Sequence, residues 1–201
     1  QLDIVPKADG STDLENLKIL GDDINIQGGI ALAPDQSLRE FYFSDFSVND
    51  LTHVEITATV RDDQVLDIEA EGPSYDGRQF FQSLFAAGQF AGGAEPAEPF
   101  GVDFTAQIDT VAGFYDTTAK DVQVTMKKRN GRLIALDAKA ELNGNAPGEV
   151  NLEQSGDERL IKVEARDAGA AFRLVGFYPS IEGGEASLQV NLDAGGAGTK
   201  T

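Results

Sequence analysis

Few of the 201 residues in this chain are of a type that does covalent chemistry, and their spacing assembles no reaction centre. A Ser-His-Asp triad would have to use His53, the single histidine. Its setting, Asn49-Asp50-Leu51-Thr52-His53-Val54, reads as the lead-in to a strand. The chain has no cysteine, which excludes a disulfide scaffold, a thiolate metal site and a cysteine nucleophile. With one His and no Cys there is no basis for zinc. The acidic pairs Asp22-Asp23 and Asp62-Asp63 lack the spacing of a calcium loop and fit turns, where Asp bonds the backbone. Gly28-Gly29, Gly92-Gly93 and Gly183-Gly184 lack the flanking residues of a phosphate-cradling loop and fit bends, bulges or strand starts. The expectation is therefore no catalytic residue, no metal and no cofactor. Glycoside hydrolysis would need a carboxylate pair, and nothing among the 34 acids marks one out.

The charge balance is −18, which argues against nucleic acid as a partner, since phosphate binding needs a basic stripe. The dense basic run, Lys127-Lys128-Arg129 beside Asn130-Gly131, reads as solvated charges at a hairpin tip. The sharper signal is aromatic. There are 12 Phe, 4 Tyr and no Trp. A sugar platform draws on Trp or Tyr, whose rings pair an apolar face with a polar edge. Phe with Ile, Leu and Val makes a purely apolar surface, which is either a closed core or an open groove for acyl chains. Periodicity places the same residues on the inner face in both cases.

The elements that would position those residues alternate with period two, the mark of strands with one buried face. Ile24, Ile26, Ile30 and Leu32 alternate, as do Phe41 and Phe43, then Phe46 and Val48. Val54 to Val60 is a clean strand, Arg61 to Gln64 a hairpin connection, and Val65 to Ile68 the start of the return. Further strands run through Phe104–Ile108, Val122–Met126, Leu133–Asp137, Val150–Leu152, Leu160–Val163 and Ala186–Leu192. Asn130-Gly131 is a strong hairpin signal. Two short helices are expected. One spans Asp76 to Ala87 with Phe80, Phe81, Leu84 and Phe85 on its apolar face, and the other spans Asp167 to Gly176 with Ala171, Phe172 and Val175. Asp76 and Asp167 serve as N-caps, and Gly88 and Gly176 as stops. The strand-then-helix pattern occurs twice, in Val65–Gly88 and Arg159–Gly184. This divides the chain into a first strand-helix unit over 1–90, a flexible Gly/Pro/Glu connection over 91–99, a second unit over 100–193 and a disordered tail over 194–201. The fold class is mainly β: an antiparallel curved sheet or groove of repeated strand units, taco-like, with two short helices.

At the two helical segments the chain resembles a known family. Gly72-Pro73-Ser74-Tyr75-Asp76-Gly77-Arg78-Gln79-Phe80-Phe81, followed by Leu84, is similar to an element of AsmA-like periplasmic proteins. So is Asp167-Ala168-Gly169 through Arg173, Gly176, Tyr178, Ile181 and Gly183-Gly184. In the large YhdP and TamB type members that second element reads D-A-G-x-x-L-R-x-x-G-x-Y-x-x-I-x-G-G. Phe172 stands at the usual Leu. The resemblance implies a module from the C-terminal part of an inner-membrane-anchored periplasmic protein that carries phospholipid toward the outer membrane through a hydrophobic groove. It implies acyl chains and other envelope proteins as partners. The chain has no run of about 18 apolar residues and does not begin with Met, so any anchor is expected outside it. The groove is expected to be lined by Ile24, Ile26, Phe41, Phe43, Val54, Ile56, Phe104, Ile108, Val122 and Val124. The helices are expected to cap or plug it through Phe80, Phe81, Leu84, Phe85 and Phe172. The alternatives are a closed structural or interaction module of the cell envelope without a ligand and, ranked last, a glycan-active enzyme.

Overall fold

The structure is a computed structural model that describes residues 1–86, 101–155 and 158–193, with the side chains of 83–86 and 155 left out of the description. The connection over 91–99, Gly88, the tail over 194–201 and the side chains of Leu84 and Phe85 therefore lie outside the described residues. The described chain forms one open, curved, twelve-stranded sheet that does not close into a barrel. The strands lie in sequence order: β1 (Asp3–Pro6), β2 (Thr12–Gly21), β3 (Ile24–Leu32), β4 (Leu38–Val48), β5 (Thr52–Val60) and β6 (Val65–Asp76) come first. After the helix α1 (Arg78–Ala86) come β7 (Gly101–Ala112), β8 (Thr118–Arg129), β9 (Arg132–Leu142), β10 (Ala146–Ser155) and β11 (Glu158–Ala165). The helix α2 (Ala168–Leu174) separates these from β12 (Ala186–Asn191).

Every neighbouring pair is antiparallel except β6–β7, which is parallel. A parallel pair needs a crossover of a dozen or more residues, and α1 opens that crossover. The parallel ladder runs from Val65↔Gly101 to Asp76↔Ala112 and joins the two strand-helix units into one sheet. The other strands follow one another over short connections, except β11 and β12, which α2 separates. Asn130 and Gly131 both have positive φ, 52° and 72°, the two-residue hairpin their types favour.

Two stretches differ from the sequence expectation. β1 and β2 are strands where no alternation is legible, and β6 continues through Glu71-Gly72-Pro73 where a break was expected. For β2 and β6 the reason is a bulge. β2, β4, β6 and β8 each carry an extra residue relative to a neighbour, at Asn16 (φ 52°), Ser44-Asp45, Gly72-Pro73 and Asp121 (φ 48°). A bulge leaves its residue out of the ladder, so Pro73 loses nothing by lacking an N–H. Bulges also raise local twist, and these, with further extra residues at Arg39 in β4 and Ile134 in β9, coil the sheet. Gly28 abuts the β4 bulge so closely that a Cβ would strike the Tyr42 carbonyl and Phe43 Cα.

Candidate functional site: the apolar face of the sheet

Cross-strand register shows how thoroughly the two faces are segregated. One row runs Leu17–Gly28–Phe43–Ile56–Ala70–Ala106–Val124–Ala138–Val150–Val163–Leu188, from β2 to β12, without a polar residue. A second row runs Ile4–Leu14–Ile30–Phe41–Ala58–Ile68–Phe104–Met126–Leu136, from β1 to β9. The row that points the other way reads Tyr42–Thr57–Glu69–Thr105–Thr125–Asp137–Asn151–Lys162–Gln189. Alternation with a period of two produces this segregation, and the sheet carries it across both units. Side chains from β5 to β11 meet in one cluster that includes Val54, Ala106, Ile108, Leu142 and Ala165, so the apolar face is the inside of the curve.

The groove candidates fall on this face. Val54 and Ile108 are buried; Ile26, Phe41, Phe43, Ile56, Phe104, Val122 and Val124 are half-buried; Ile24, at the start of β3, is exposed. Phe41, Phe43 and Phe46 form a line of rings with centroids 5.3 and 6.1 Å apart. Phe46 reaches this face because the bulge at Ser44-Asp45 shifts the alternation by one residue. The buried apolar positions include small residues such as Ala58, Ala119, Ala165 and Ala170 and larger ones such as Val54, Ile108, Leu142 and Ile161, while the large side chains along the two rows stay partly exposed. A sealed core would bury the large side chains of those rows as well.

The helices close one end of this face, where β7 finishes and β8 begins. Gly77 N–H donates to the Ala112 carbonyl and Phe114 N–H to the Leu174 carbonyl. Phe81 packs, partly buried, against the cluster. Phe80 does not act as a plug: it is exposed, and its ring meets that of Phe81 edge-on at 5.8 Å. Nor does Phe172. It stacks edge-on against Tyr178 at 6.1 Å, while Ala170 and Leu174 are the α2 residues buried in the cluster and Ala171 packs, partly buried, against it. The reason is that Asp167 caps α2 and the next segment pins Gly169, which turns the 170/174 face inward. Asp167 Oδ1 accepts from Ala170 N–H at 2.8 Å and Oδ2 from Asn143 Nδ2 at 2.8 Å; these bonds hold its carboxyl below the usual carboxylate range. Ala168 and Gly169 N–H donate to the Gly184 and Gly183 carbonyls, and a Cβ at Gly169 would strike the Ile181–Gly183 backbone. Arg173 donates to the Ile181 carbonyl. The D-A-G and I-x-G-G parts of the motif are thus two sides of one backbone contact. At α1 the cap position is Gly77; the Asp76 carboxylate accepts from Arg78 N–H and from its guanidinium.

The polar face carries its own ion pairs. Asp103 accepts from Arg129 at 2.6 Å and Arg61 at 3.2 Å, and chiefly the Arg129 bond lowers its pKa. Arg129 is therefore bound rather than a solvated turn charge, because the two-residue hairpin sets it beside β7. A shallow polar depression of about 570 Å³ on this face is lined by Asp45, His53, Glu55, Glu71, Gln107 and Asp109 among others. There His53 Nδ1 lies 3.2 Å from Ser74 Oγ, while Asp45 is engaged by Ser47 and Asn25.

Among the described residues no helix is long and apolar enough to cross a membrane. No family model, curated protein or solved structure matches the chain.

Proposed function

We propose that the chain is a lipid-binding module whose curved apolar face holds acyl chains, as part of an AsmA-like periplasmic protein that moves phospholipid between the inner and outer membranes. The observation that carries the acyl-chain reading is the unbroken apolar row from Leu17 to Leu188, bearing large side chains that stay half-exposed. Such a face must be hidden from water. Acyl chains do this at about 0.8 kcal/mol for each CH₂ buried, so two chains supply a large driving force. The acidic surface keeps the module soluble and off anionic membrane surfaces. The periplasmic setting and the direction of transport rest on the motif resemblance at Gly72–Phe81 and Asp167–Gly184.

Native mass spectrometry of the purified chain, with lipid extraction of the same sample, tests the reading. Bound phospholipid at defined stoichiometry is the expected result. Phe43→Asp should abolish lipid pick-up, whereas Thr57→Asp on the opposite face should leave it unchanged. A folded Phe43→Asp protein that binds lipid normally would sink the groove assignment. A lipid-free monomer that refuses added phospholipid would favour a ligand-free structural module.

A further inference from the structure

Left-handed backbone favours glycine and, after it, polar side chains that bond locally. This chain keeps to that almost everywhere. The described non-glycine residues at positive φ are all Asn, Asp or Gln except Tyr115 (φ 53°) and Tyr178 (φ 42°). A bulky ring on such a backbone is strained, so something other than the turn retains it. The core does not. Neither tyrosine belongs to the buried cluster, and the two are 53% and 67% exposed.

The two tyrosines are far apart in sequence and close in space. Tyr115 lies in the β7–β8 turn and Tyr178 in the segment after α2. Phe114 N–H donates to the Leu174 carbonyl, and the Phe114 ring lies against Gly176, where a Cβ would meet it at 3.0 Å. These contacts lock the two turns together. Phe114 and Tyr115 from one and Gly176 and Phe177 from the other line a notch of about 280 Å³. Phe177 is itself exposed, with its ring centroid 6.4 Å from that of Tyr178, and the exposed Ile181 follows. The result is an aromatic tip at the helix end of the sheet. Leu174 joins it to the apolar face, since its side chain is buried in the cluster while its carbonyl holds Phe114.

We infer that this tip docks the protein on the interfacial layer of a zwitterionic phospholipid bilayer. Such docking goes beyond the acyl-chain reading and does not need it. Three observations select this occupant. Tyrosine pairs an apolar ring with a polar end, and such rings settle at the headgroup level of a membrane. The two turns also satisfy backbone donors internally. Gly113 N–H donates to the Thr117 carbonyl, Thr117 N–H to Phe114, Gly176 N–H to Arg173, Phe177 N–H to Phe172 and Ile181 N–H to Tyr178, so these groups need no water. Charge then decides among surfaces. Across 113–117 and 172–182 the charged residues are Asp116, Arg173 and Glu182, in a chain of net charge −18. That net charge repels a second copy and an anionic bilayer. A zwitterionic surface is not repelled, and its outward ammonium groups meet the two acids and the ring faces.

The test is flotation with phosphatidylcholine vesicles, beside phosphatidylglycerol vesicles at the same low ionic strength. The wild-type chain should float with the first and not with the second. The double variant Tyr115→Asn/Tyr178→Asn places at both sites a residue type that the chain uses at positive φ elsewhere. Its melting temperature should therefore equal or exceed that of the wild type. Its partition onto phosphatidylcholine should fall by on the order of tenfold, because two rings leave the interface. A double variant that floats normally overturns the docking tip. So does one with a lowered melting temperature, which would assign the rings to the fold. Wild-type protein that ignores phosphatidylcholine, or prefers phosphatidylglycerol, overturns it as well. The acyl-chain reading is tested separately on the same proteins. The Asn double variant should still take up a monomeric short-chain phospholipid, and Phe43→Asp should still float. A Phe43→Asp protein that no longer floats would place the bilayer contact on the sheet face and overturn the tip. Loss of short-chain uptake by the wild type would sink the acyl-chain reading and leave the tip standing.

Discussion

Asp167 ties three parts of the chain with one carboxylate: the first turn of α2 through Ala170, the β9–β10 turn through Asn143, and its own strand end. Losing such a cap costs about 1 kcal/mol, up to about 2 where the cap is buried. Asp167→Ala should lower stability by that amount in thermal or urea unfolding. Asp167→Asn should recover most of it, because an amide oxygen still accepts from Ala170. If Asp167→Ala unfolds like the wild type, the cap is not what seats α2. This residue was legible in the sequence, since an Asp before a short apolar run is a cap by its chemistry. The plug residues of α2 were less legible. Seven residues make barely two turns, and Phe172 and Leu174 fall on different sides of so short a helix. What decides between them is the backbone contact of Gly169 with Gly183, a tertiary fact. Phe80 and Phe81 pose the same ambiguity as neighbours on one helix, and the fold buries Phe81 more than Phe80.

At the scale of elements, β3 to β12 were legible wherever alternation ran uninterrupted, and their inward faces with them. β2 was not, because the extra residue at Asn16 puts Leu14 and Leu17 on the same face at a spacing of three. Phe46 was obscured in the same way. Alanines such as Ala70, Ala106 and Ala138 complete the apolar row yet carry little signal in a sequence. The edge strand β12 depends on charge as well as on its ladder. Arg159, through side-chain and backbone bonds, and then Arg132 depress Asp193 to about 2 in the folded state. In the unfolded chain a carboxyl of this kind titrates near about 4. The folded state therefore binds fewer protons between those values. The stabilisation is present above about pH 4 and is lost as pH falls toward 2. Hydrogen exchange should show Ala186–Asn191 losing protection in that window before β8, which is paired on both sides. Asp193→Asn should show the loss already at neutral pH. Equal protection of β12 and β8 down to pH 2 would mean that Asp193 does not hold the edge.

Across the whole molecule, the repeated strand-helix pattern does not produce two separate bodies. The parallel β6–β7 ladder is the seam, and its register pairs run almost the full length of both strands. The buried cluster crosses that seam, taking Val54 from the first unit, with Ala70 and Tyr75 packed against it, and Ala106, Val111 and Leu142 from the second. If the apolar face is one surface, the covalent link between the units is dispensable once the sheet has formed. A protease site placed between residues 95 and 96 and cut after folding should leave both fragments in a single peak on size exclusion, separating in denaturant. Lipid pick-up by the cut protein should match that of the intact chain, because the row from Leu17 to Leu188 survives the cut. Fragments that part under native conditions would show that the β6–β7 ladder alone does not hold the units together. Fragments that stay together yet lose lipid would place the binding surface at the severed connection rather than on the sheet. The two readouts therefore separate the integrity of the sheet from the use of its face.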